Sequence, residues 1–299
     1  MHGSPSERDD RPALDARLFV CLQYLLPQHA LSRLAWYVTR SRNVIFKNFL
    51  IESFMRGFHP DMSDAQEQNP TAYGSFNEFF TRALRPEARP IDPDPRIIAS
   101  PVDGTISAIG RIAGSELIQA KGRSYSLAAL LAGSGERAER FADGAFATVY
   151  LAPFNYHRIH MPAAGTLTAA RYVPGRPFSV NATTAASVAR LFARNERIVC
   201  VFDDGPASFA VVMVGALFVG SMSTSWHGDV TPTRQRQKRE LESLCAADLR
   251  LPKGAELGRF NMGSTVILLF PKDQVNWLPG LAAGSAIKVG QALARRRAP

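Results

Sequence analysis

From residue 97 onward the sequence is a succession of short apolar and β-branched runs separated by turns that contain glycine or aspartate. Runs of this length and composition predict β-strands, and many of them at this spacing favour an antiparallel sandwich or a barrel-like core. They lie at 97–99, 105–109, 147–151, 198–202, 209–214 and 266–270, with a last turn and strand at 284–290. Helical insertions are predicted at 126–131 and 182–194.

The N-terminal part of the chain has a helical period instead. Apolar residues recur three or four apart through residues 14–58, and Pro27 ends or kinks the first segment. They are Leu14, Leu18, Leu22 and Leu25, then Leu31, Leu34, Ala35 and Val38, then Phe46, Phe49, Leu50 and Phe54. Arginines, Trp36 and Tyr37 are interleaved, so these faces either lie on a membrane surface or pack on the protein's own core.

The organisation changes between these two parts. Ser75 and Glu78 form a capping-box pattern that predicts a short helix over 76–84. The prolines that follow, at positions 86, 90, 93 and 95, favour an extended connector. We therefore expect an α+β protein: a disordered segment at 1–13, an amphipathic helical region and connector at 14–95, and a β-rich domain at 96–299.

The overall charge indicates which classes of molecule this protein can bind. The formal net charge is +9 and the isoelectric point is about 9.8, which favours contact with a polyanion such as nucleic acid or an anionic bilayer. No nucleic-acid recognition motif accompanies this charge. The three cysteines have no paired spacing, which predicts neither disulfides nor a zinc site and favours a reducing, cytoplasmic-side setting. We find neither a secretory signal nor an apolar run of about 20 residues that could span a membrane.

Within residues 258–270 a polar, glycine-rich turn leads into an apolar strand, and Gly263 and Ser264 lie at the junction. Glycine leaves its carbonyl open to close approach, and the serine hydroxyl is beside it. A general base that removes the hydroxyl proton would let Ser264 Oγ attack the Gly263 carbonyl. The alternative is an ordinary turn before a strand.

Candidate partners for such a serine occur elsewhere. His157 and His160 lie close together in a segment bracketed by Pro153 and Pro162, which favours an irregular loop. Structural loop histidines and a metal site are alternatives, although no acid or cysteine lies nearby for the latter. Asp103 precedes a glycine, which first of all predicts a hairpin turn. An Asp, a His and a Ser are nevertheless what nucleophile activation requires, and such triads assemble from distant positions.

Taken together, these segments resemble the bacterial type of phosphatidylserine decarboxylase. The segments that match the family pattern are 76–82 with 89–90, 100–104, 156–162, 178–181, 191–197, and 253–260 leading into 263–265. They occur in family order and cover residues 70–290. Met262 stands where the family usually has leucine, and this change preserves apolar volume, so we expect self-cleavage to survive it.

The resemblance implies roles for individual residues. Asp103, His160 and Ser264 would form a self-cleavage triad, and cleavage between Gly263 and Ser264 would give a β chain and an α chain. Ser264 would become a covalent pyruvoyl group, which replaces pyridoxal phosphate as the electron sink, so neither that cofactor nor a metal is expected. His157 would assist the decarboxylation itself.

The resemblance also implies partners and a location. The substrate would be phosphatidylserine in an anionic membrane, and the enzyme would be peripheral, on the cytoplasmic side of the cell membrane. The α and β chains of one precursor would stay associated, with a homodimer left open. Deletion up to about residue 58 is expected to leave self-cleavage intact and to lower liposome binding. The alternatives are a soluble pyruvoyl-dependent amino-acid decarboxylase and a non-enzymatic, β-rich membrane-binding module.

Overall fold

The fold is that of a computed structural model, which describes most of the chain. The described residues are 22–24, 26–120, 123–133, 135–176, 178–205, 207–217, 221–231, 239–241, 249–261 and 264–297. The segment predicted to be disordered, 1–13, lies outside them, and so does Gly263.

Helices dominate the N-terminal part and interrupt the β-rich part. They are α1 (Gln28–Thr39), α2 (Val44–Phe58), α3 (Phe76–Phe80), α4 (Leu127–Leu131), α5 (Gly135–Arg140), α6 (Ala182–Ser187) and α7 (Leu191–Arg194), with 3-10 turns at Pro70–Ala72 and Pro86–Ala88. The Ser75 hydroxyl accepts a hydrogen bond from the Glu78 amide, which confirms the predicted cap of α3. This helix ends at Phe80 rather than near Leu84, because the chain turns there and Leu84 forms a β-bridge with Ala65.

The strands follow in short steps from residue 97. They are β1 (Ile97–Ala99), β2 (Gly104–Arg111), β3 (Glu116–Ala120), β4 (Arg123–Ser126), β5 (Ala145–Leu151), β6 (Arg158–His160), β7 (Gly165–Val173), β8 (Arg197–Asp204), β9 (Ala207–Gly215), β10 (Met222–Thr224), β11 (Gly228–Asp229), β12 (Arg239–Glu240), β13 (Arg250–Leu251), β14 (Glu256–Phe260), β15 (Ser264–Phe270), β16 (Val275–Trp277), β17 (Ala286–Ile287) and β18 (Ala292–Arg296). The predicted runs all fall in strands. The predicted helix at 182–194 is two short helices, α6 and α7.

The main sheet is antiparallel, in the order β12-β7-β8-β9-β15-β5-β2-β17. Strand β15 lies between β5 and β9 and is buried along its whole length, as its apolar composition requires. Smaller sheets have the orders β1-β18-β16, β11-β10-β14-β6 and β3-β4. This confirms an α+β fold with an antiparallel β core; the described strands form open sheets and do not close into a barrel.

Two local predictions in this core are wrong. The segment around the histidines is not wholly irregular, because Arg158–His160 forms β6 and pairs with β14. The Asp103-Gly104 step does not close a hairpin, because β1 pairs with β18 whereas β2 pairs with β5 and β17. Short-range turn signals could not reveal these long-range pairings.

The N-terminal helical region has its own apolar cluster. It comprises Ile51, Phe54, Phe76, Phe79 and Phe80, which we call the phenylalanine cluster. The ring of Phe54 lies edge-on to the rings of Phe76, Phe79 and Phe80, with centroids 5.4–5.9 Å apart. The cluster joins helices α2 and α3, so the predicted packing of an apolar helical face on the protein's own core holds for this side of α2.

The predicted apolar face of α1 behaves differently. Helix α1 buries the polar residues Gln28, Ser32 and Thr39, whereas Leu34 and Tyr37 are 59% and 64% exposed. In the part of the chain that the structure describes, eleven large apolar side chains are exposed, and nine of them lie between residues 22 and 58. The described chain therefore leaves an apolar surface uncovered on its N-terminal helices.

Polar contacts attach α1 to the β-rich part. Arg40, which follows the helix, donates hydrogen bonds of 3.0 Å to the Ser221 hydroxyl and to the Asp229 carboxylate. Trp36 Nε1 donates to the same carboxylate at 3.3 Å. None of the described helices has both the length and the apolar character needed to cross a bilayer.

Candidate active site

Ser264 is the first residue of β15 and is completely buried. It pairs with Leu151 on one side and with Gly215 on the other. Its hydroxyl has no hydrogen-bond partner in the described structure, and the same is true of the Thr265 hydroxyl. Buried hydroxyls are normally satisfied, so an unpartnered serine at the end of a strand indicates a functional position.

His157 lies beside this strand end and is also completely buried. Its ring stacks on Phe80 of the phenylalanine cluster, with centroids 4.2 Å apart. Nε2 is 3.1 Å from the carbonyl oxygen of Ala152, the residue after Leu151. A carbonyl only accepts, so Nε2 carries the proton and Nδ1 keeps a lone pair, which has no partner among the described residues.

Burial, and then the positive charge of Arg82, lower the pKa of His157 to about 3. The imidazole is therefore uncharged at neutral pH. A buried, neutral imidazole with a free lone pair is equipped to take up and return a proton.

His160 has different surroundings. Its Nδ1 donates to the Gly254 carbonyl at 2.8 Å, and its Nε2 accepts from the Tyr156 hydroxyl at 3.0 Å. Burial lowers its pKa, opposed by the hydrogen bond to Gly254. His160 is thus held in the tautomer whose Nε2 lone pair can act as a base once Tyr156 releases it.

Asp103 is a buried carboxylate in an ion pair. The Arg89 guanidinium donates from Nη2 at 2.6 Å and from Nε at 3.0 Å, and it also binds Asp64 at 2.7 Å. The Val289 amide donates to Asp103 at 2.8 Å. Bidentate pairing with Arg89 fixes the orientation of this carboxylate.

Some of the predicted site residues lie on neighbouring segments in the structure, but among the described residues their side chains are not joined by hydrogen bonds. The His160 amide donates to the carbonyl of Pro101 at 2.8 Å, so the turn that carries Asp103 lies directly beside β6. His157 is next to the Ser264 strand end through Ala152. No hydrogen bond among the described residues links the side chains of Asp103, His160 and Ser264, so the triad remains a prediction; Gly263 lies outside the described residues.

Sequence reasoning gave no role to three residues of this region, Arg89, Tyr156 and Glu196. All three stand inside segments that match the family pattern, but nothing in the sequence shows that Arg89 binds Asp103 or that Tyr156 binds His160. Glu196 belongs to the polar step Asn195-Glu196-Arg197, which directly precedes the apolar run of β8. Charged residues at the start of a buried strand are unusual, and this signal could have marked Glu196 as a candidate functional residue.

Comparison with known proteins places this chain in a family. A family model described as phosphatidylserine decarboxylase matches residues 76–295, and a second model, described as PSD, matches residues 18–59. The chain belongs to the phosphatidylserine decarboxylase family. The predicted enzyme class, a carboxy-lyase, is thereby confirmed at the level of the family.

Curated relatives in this family are similar over nearly their whole length. A phosphatidylserine decarboxylase proenzyme of Methylococcus capsulatus is 49% identical over 281 residues, covering 94% of this chain and 97% of the relative. Proenzymes of the same name from Pseudomonas fluorescens (strain Pf-5) and Ectopseudomonas mendocina are 51% and 52% identical, each covering 93% of this chain and 96% and 97% of the relative. The phosphatidylserine decarboxylase match thus spans both the helical and the β-rich parts of the chain.

Proposed function

We propose that this protein decarboxylates phosphatidylserine to phosphatidylethanolamine, with a pyruvoyl group that it makes by cutting itself before Ser264. The observation that supports this most is the Ser264 hydroxyl, buried and without a described partner at a strand end beside an uncharged His157. The proenzyme names of the relatives agree with a chain that is processed.

The self-cleavage conserves atoms. The Ser264 hydroxyl gives its proton to an imidazole, Oγ bonds to the preceding carbonyl carbon, and the carbon–nitrogen bond breaks to leave an ester and an amine. Removal of the Ser264 α-proton then expels the preceding residue as a carboxylate, and water releases ammonia from the remaining dehydroalanine. His160 is our candidate base, and its action requires that Tyr156 give up the Nε2 lone pair.

The site fits a group built from Ser264. The position is buried, its ladder partner Leu151 is apolar, and no partner among the described residues holds the hydroxyl. A pyruvoyl carbonyl there supplies an electron sink for loss of carbon dioxide. His157 would take up at Nδ1 a proton that the substrate ammonium loses on binding, and would return it to the product carbon after carbon dioxide leaves. The burial that keeps its imidazole uncharged outside these steps also excludes water.

The exposed apolar surface of α1 and α2 suits the lipid substrate. Leu34, Ile45 and Phe49 are 59%, 84% and 60% exposed, and the neighbouring Arg33 and Arg56 are exposed too. Apolar side chains with arginines beside them bind the interface of an anionic bilayer. This surface supports the proposal that the enzyme is a peripheral membrane protein, and we propose the cytoplasmic face of the cell membrane as its location.

The test compares purified wild-type protein with Ser264→Ala and a matched control, Ser124→Ala at an exposed serine of β4, by denaturing gel and intact mass. We expect wild type and Ser124→Ala to give two fragments, the smaller one blocked at its N-terminus, and Ser264→Ala to give one uncut chain. Splitting of the Ser264→Ala chain would remove Ser264 as the nucleophile.

The same proteins are then assayed for decarboxylation to identify the substrate. Wild type should release carbon dioxide from phosphatidylserine in vesicles, and Ser264→Ala should release none. Equal turnover of free serine without lipid would favour a soluble amino-acid decarboxylase. A single uncut wild-type chain without activity would favour the non-enzymatic module.

A further inference from the structure

Glu196 is a buried acid to which the chemistry above gives no role. It stands between α7 and β8 and is 8% exposed. The Tyr172 hydroxyl on β7 donates to its Oε2 at 3.3 Å, and Glu196 forms no ion pair with any residue that the structure describes. A buried carboxyl without a cation is costly as an anion, so its presence at such a place points to chemistry.

The nearest cation on the chain, Arg197, is engaged elsewhere. Its guanidinium donates to the carbonyl oxygens of Ala129, Leu130, Ala193 and Asn195, at 2.6–2.9 Å. Arg194, on the preceding helix, is exposed and donates to the Tyr24 hydroxyl. Among the described residues, the side chain that hydrogen-bonds the Glu196 carboxyl is Tyr172, and the side chain of Met222 also lies beside Gly215.

Glu196 lies on the same face of the sheet as the Ser264 side chain. Gly215 pairs with Ser264, and its amide donates to the Glu196 carbonyl at 2.9 Å. A methyl group added at Gly215 would lie 3.3 Å from Glu196 Cγ. Paired residues of an antiparallel ladder project to the same face with Cβ atoms about 5 Å apart. The Glu196 side chain therefore lies beside Gly215, on the face to which the paired Ser264 side chain also projects.

Burial raises the pKa of Glu196 to about 7, opposed by the hydrogen bond from Tyr172. Near neutral pH a substantial share of this carboxyl is therefore still protonated and has a proton to give. The base proposed for the same step is His160, whose Nε2 accepts from the Tyr156 hydroxyl.

We propose that Glu196 is a proton donor of the Ser264 site and protonates the Ser264 nitrogen, directly or through one water, as the peptide bond before it breaks. The inference rests on the proposed self-cleavage. The hydroxyl proton goes to the imidazole base, the Glu196 proton goes to the departing amine, and the carboxylate regains a proton from the imidazolium. A bond to oxygen forms, a bond to nitrogen breaks, and no proton is lost overall.

The test follows self-cleavage of freshly translated full-length chain on gels between pH 5.5 and 8.5. Wild type should slow as pH rises through about 7, where the acid is lost. Glu196→Gln should be slower by about 100-fold and lack this pH dependence, because an amide cannot give the proton. Glu139→Gln, an exposed acid on α5, is the matched control and should keep the wild-type rate. Glu196→Gln with the rate and pH profile of wild type would overturn the proposal.

A second variant covers the case in which Glu196→Gln does not fold. Tyr172→Phe removes a hydrogen bond that favours the carboxylate form, so the fall in rate should move to higher pH. An unmoved profile would contradict the inference.

An independent readout needs no cleavage. In the uncut Ser264→Ala chain, infrared spectra should show a protonated carboxyl band that disappears as pH rises through about 7 and is missing from the Ser264→Ala, Glu196→Gln chain. Absence of that band would overturn the inference. If wild type itself never splits, the proposed function fails; if wild type and Glu196→Gln split alike, only this inference fails.

Discussion

His157 and His160 are three residues apart in the sequence, yet their surroundings differ in what they allow. His160 binds a carbonyl and a phenol, so both ring nitrogens are satisfied. His157 is completely buried, stacks on Phe80 and satisfies one nitrogen only. Charging His157 would place a cation in a dry site near Arg82, and this cost makes the protein's stability depend on pH.

The sign of that dependence follows from the two states of the chain. Unfolding returns the pKa of His157 from about 3 to about 6.5, so between these values the unfolded state binds more protons. The stabilisation is complete above pH 6.5 and is lost as pH falls toward 3, by about 1.4 kcal/mol per pH unit. In the uncut Ser264→Ala background, His157→Asn should flatten this acid limb, measured by urea unfolding between pH 4 and 8.

His59 provides the matched control. It is exposed and follows α2 in the left-handed region, with φ 49°, where asparagine is tolerated. His59→Asn should keep the acid limb of the parent. An unchanged limb in His157→Asn would show that another group, and not this imidazole, carries the acid sensitivity.

At the scale of residues, the sequence identified candidate site residues but showed little of which hydrogen bonds and ion pairs they form. The family pattern drew attention to Asp103, His157, His160 and Ser264. It could not show that Arg89 holds Asp103, because such an ion pair depends on where the connector passes the sheet. Histidine pKa values likewise depend on burial, which has no local sequence signal.

At the scale of elements, hydrophobic periodicity predicts where a helix forms better than it predicts which face of the helix packs on the protein core. The apolar runs of the sheet were predicted because a strand buried on both faces is apolar throughout, as β15 is. For α1 the helical period was right, yet the buried side carries Gln28, Ser32 and Thr39. Apolar side chains of α2 are divided between the phenylalanine cluster and the exposed surface. Only the tertiary arrangement distinguishes a face that meets the core from one left for a membrane.

The exposed surface of these helices can be tested by charge. Leu34→Glu and Phe49→Glu place an anion on an apolar patch that we propose lies in the bilayer interface, so binding to anionic vesicles should fall about tenfold or more for each. Vesicle sedimentation at fixed salt measures this. Ile118→Glu is the matched control, since Ile118 is 57% exposed on β3 and far along the chain from the helices.

Three results would decide whether the exposed surface of these helices binds the membrane. All three variants should melt at nearly the parent temperature, because surface substitutions of this kind change stability by less than about 0.5 kcal/mol. A loss of vesicle binding in Ile118→Glu equal to that in Leu34→Glu would show a general charge effect. Wild-type binding by both helix variants would place the membrane surface elsewhere.

At the scale of the whole molecule, the helical region and the β-rich part are joined through the site. Phe80 belongs to the phenylalanine cluster and also stacks on His157, and Arg158 on β6 donates to the Thr81 carbonyl at 2.9 Å. The composition shift near residue 95 predicted a boundary in the chain. It could not predict that side chains before the boundary would form one wall of the site after it, because such contacts are non-local.

This joining changes what a truncation should do. A chain that begins at Asn43 keeps the residue whose side chain caps α2 and loses α1 with the Arg40 bonds to Ser221 and Asp229. A chain that begins at His59 also loses Ile51 and Phe54, and so exposes the rings on α3. The truncation to Asn43 removes polar surface contacts, whereas the truncation to His59 removes part of the phenylalanine cluster that packs behind His157.

We therefore revise the expectation that deletion up to about residue 58 leaves self-cleavage intact. The chain beginning at Asn43 should still split itself, and its uncut Ser264→Ala form should unfold within about 2 kcal/mol of the parent. The chain beginning at His59 should be destabilised by about 4 kcal/mol or more, since burying an Ile and a Phe contributes at least about 2 kcal/mol each, and it should split poorly. Urea unfolding and gels measure both. Equal stability of the two truncated chains would mean that the phenylalanine cluster does not support the site, and that His157 is held by the β-rich part alone.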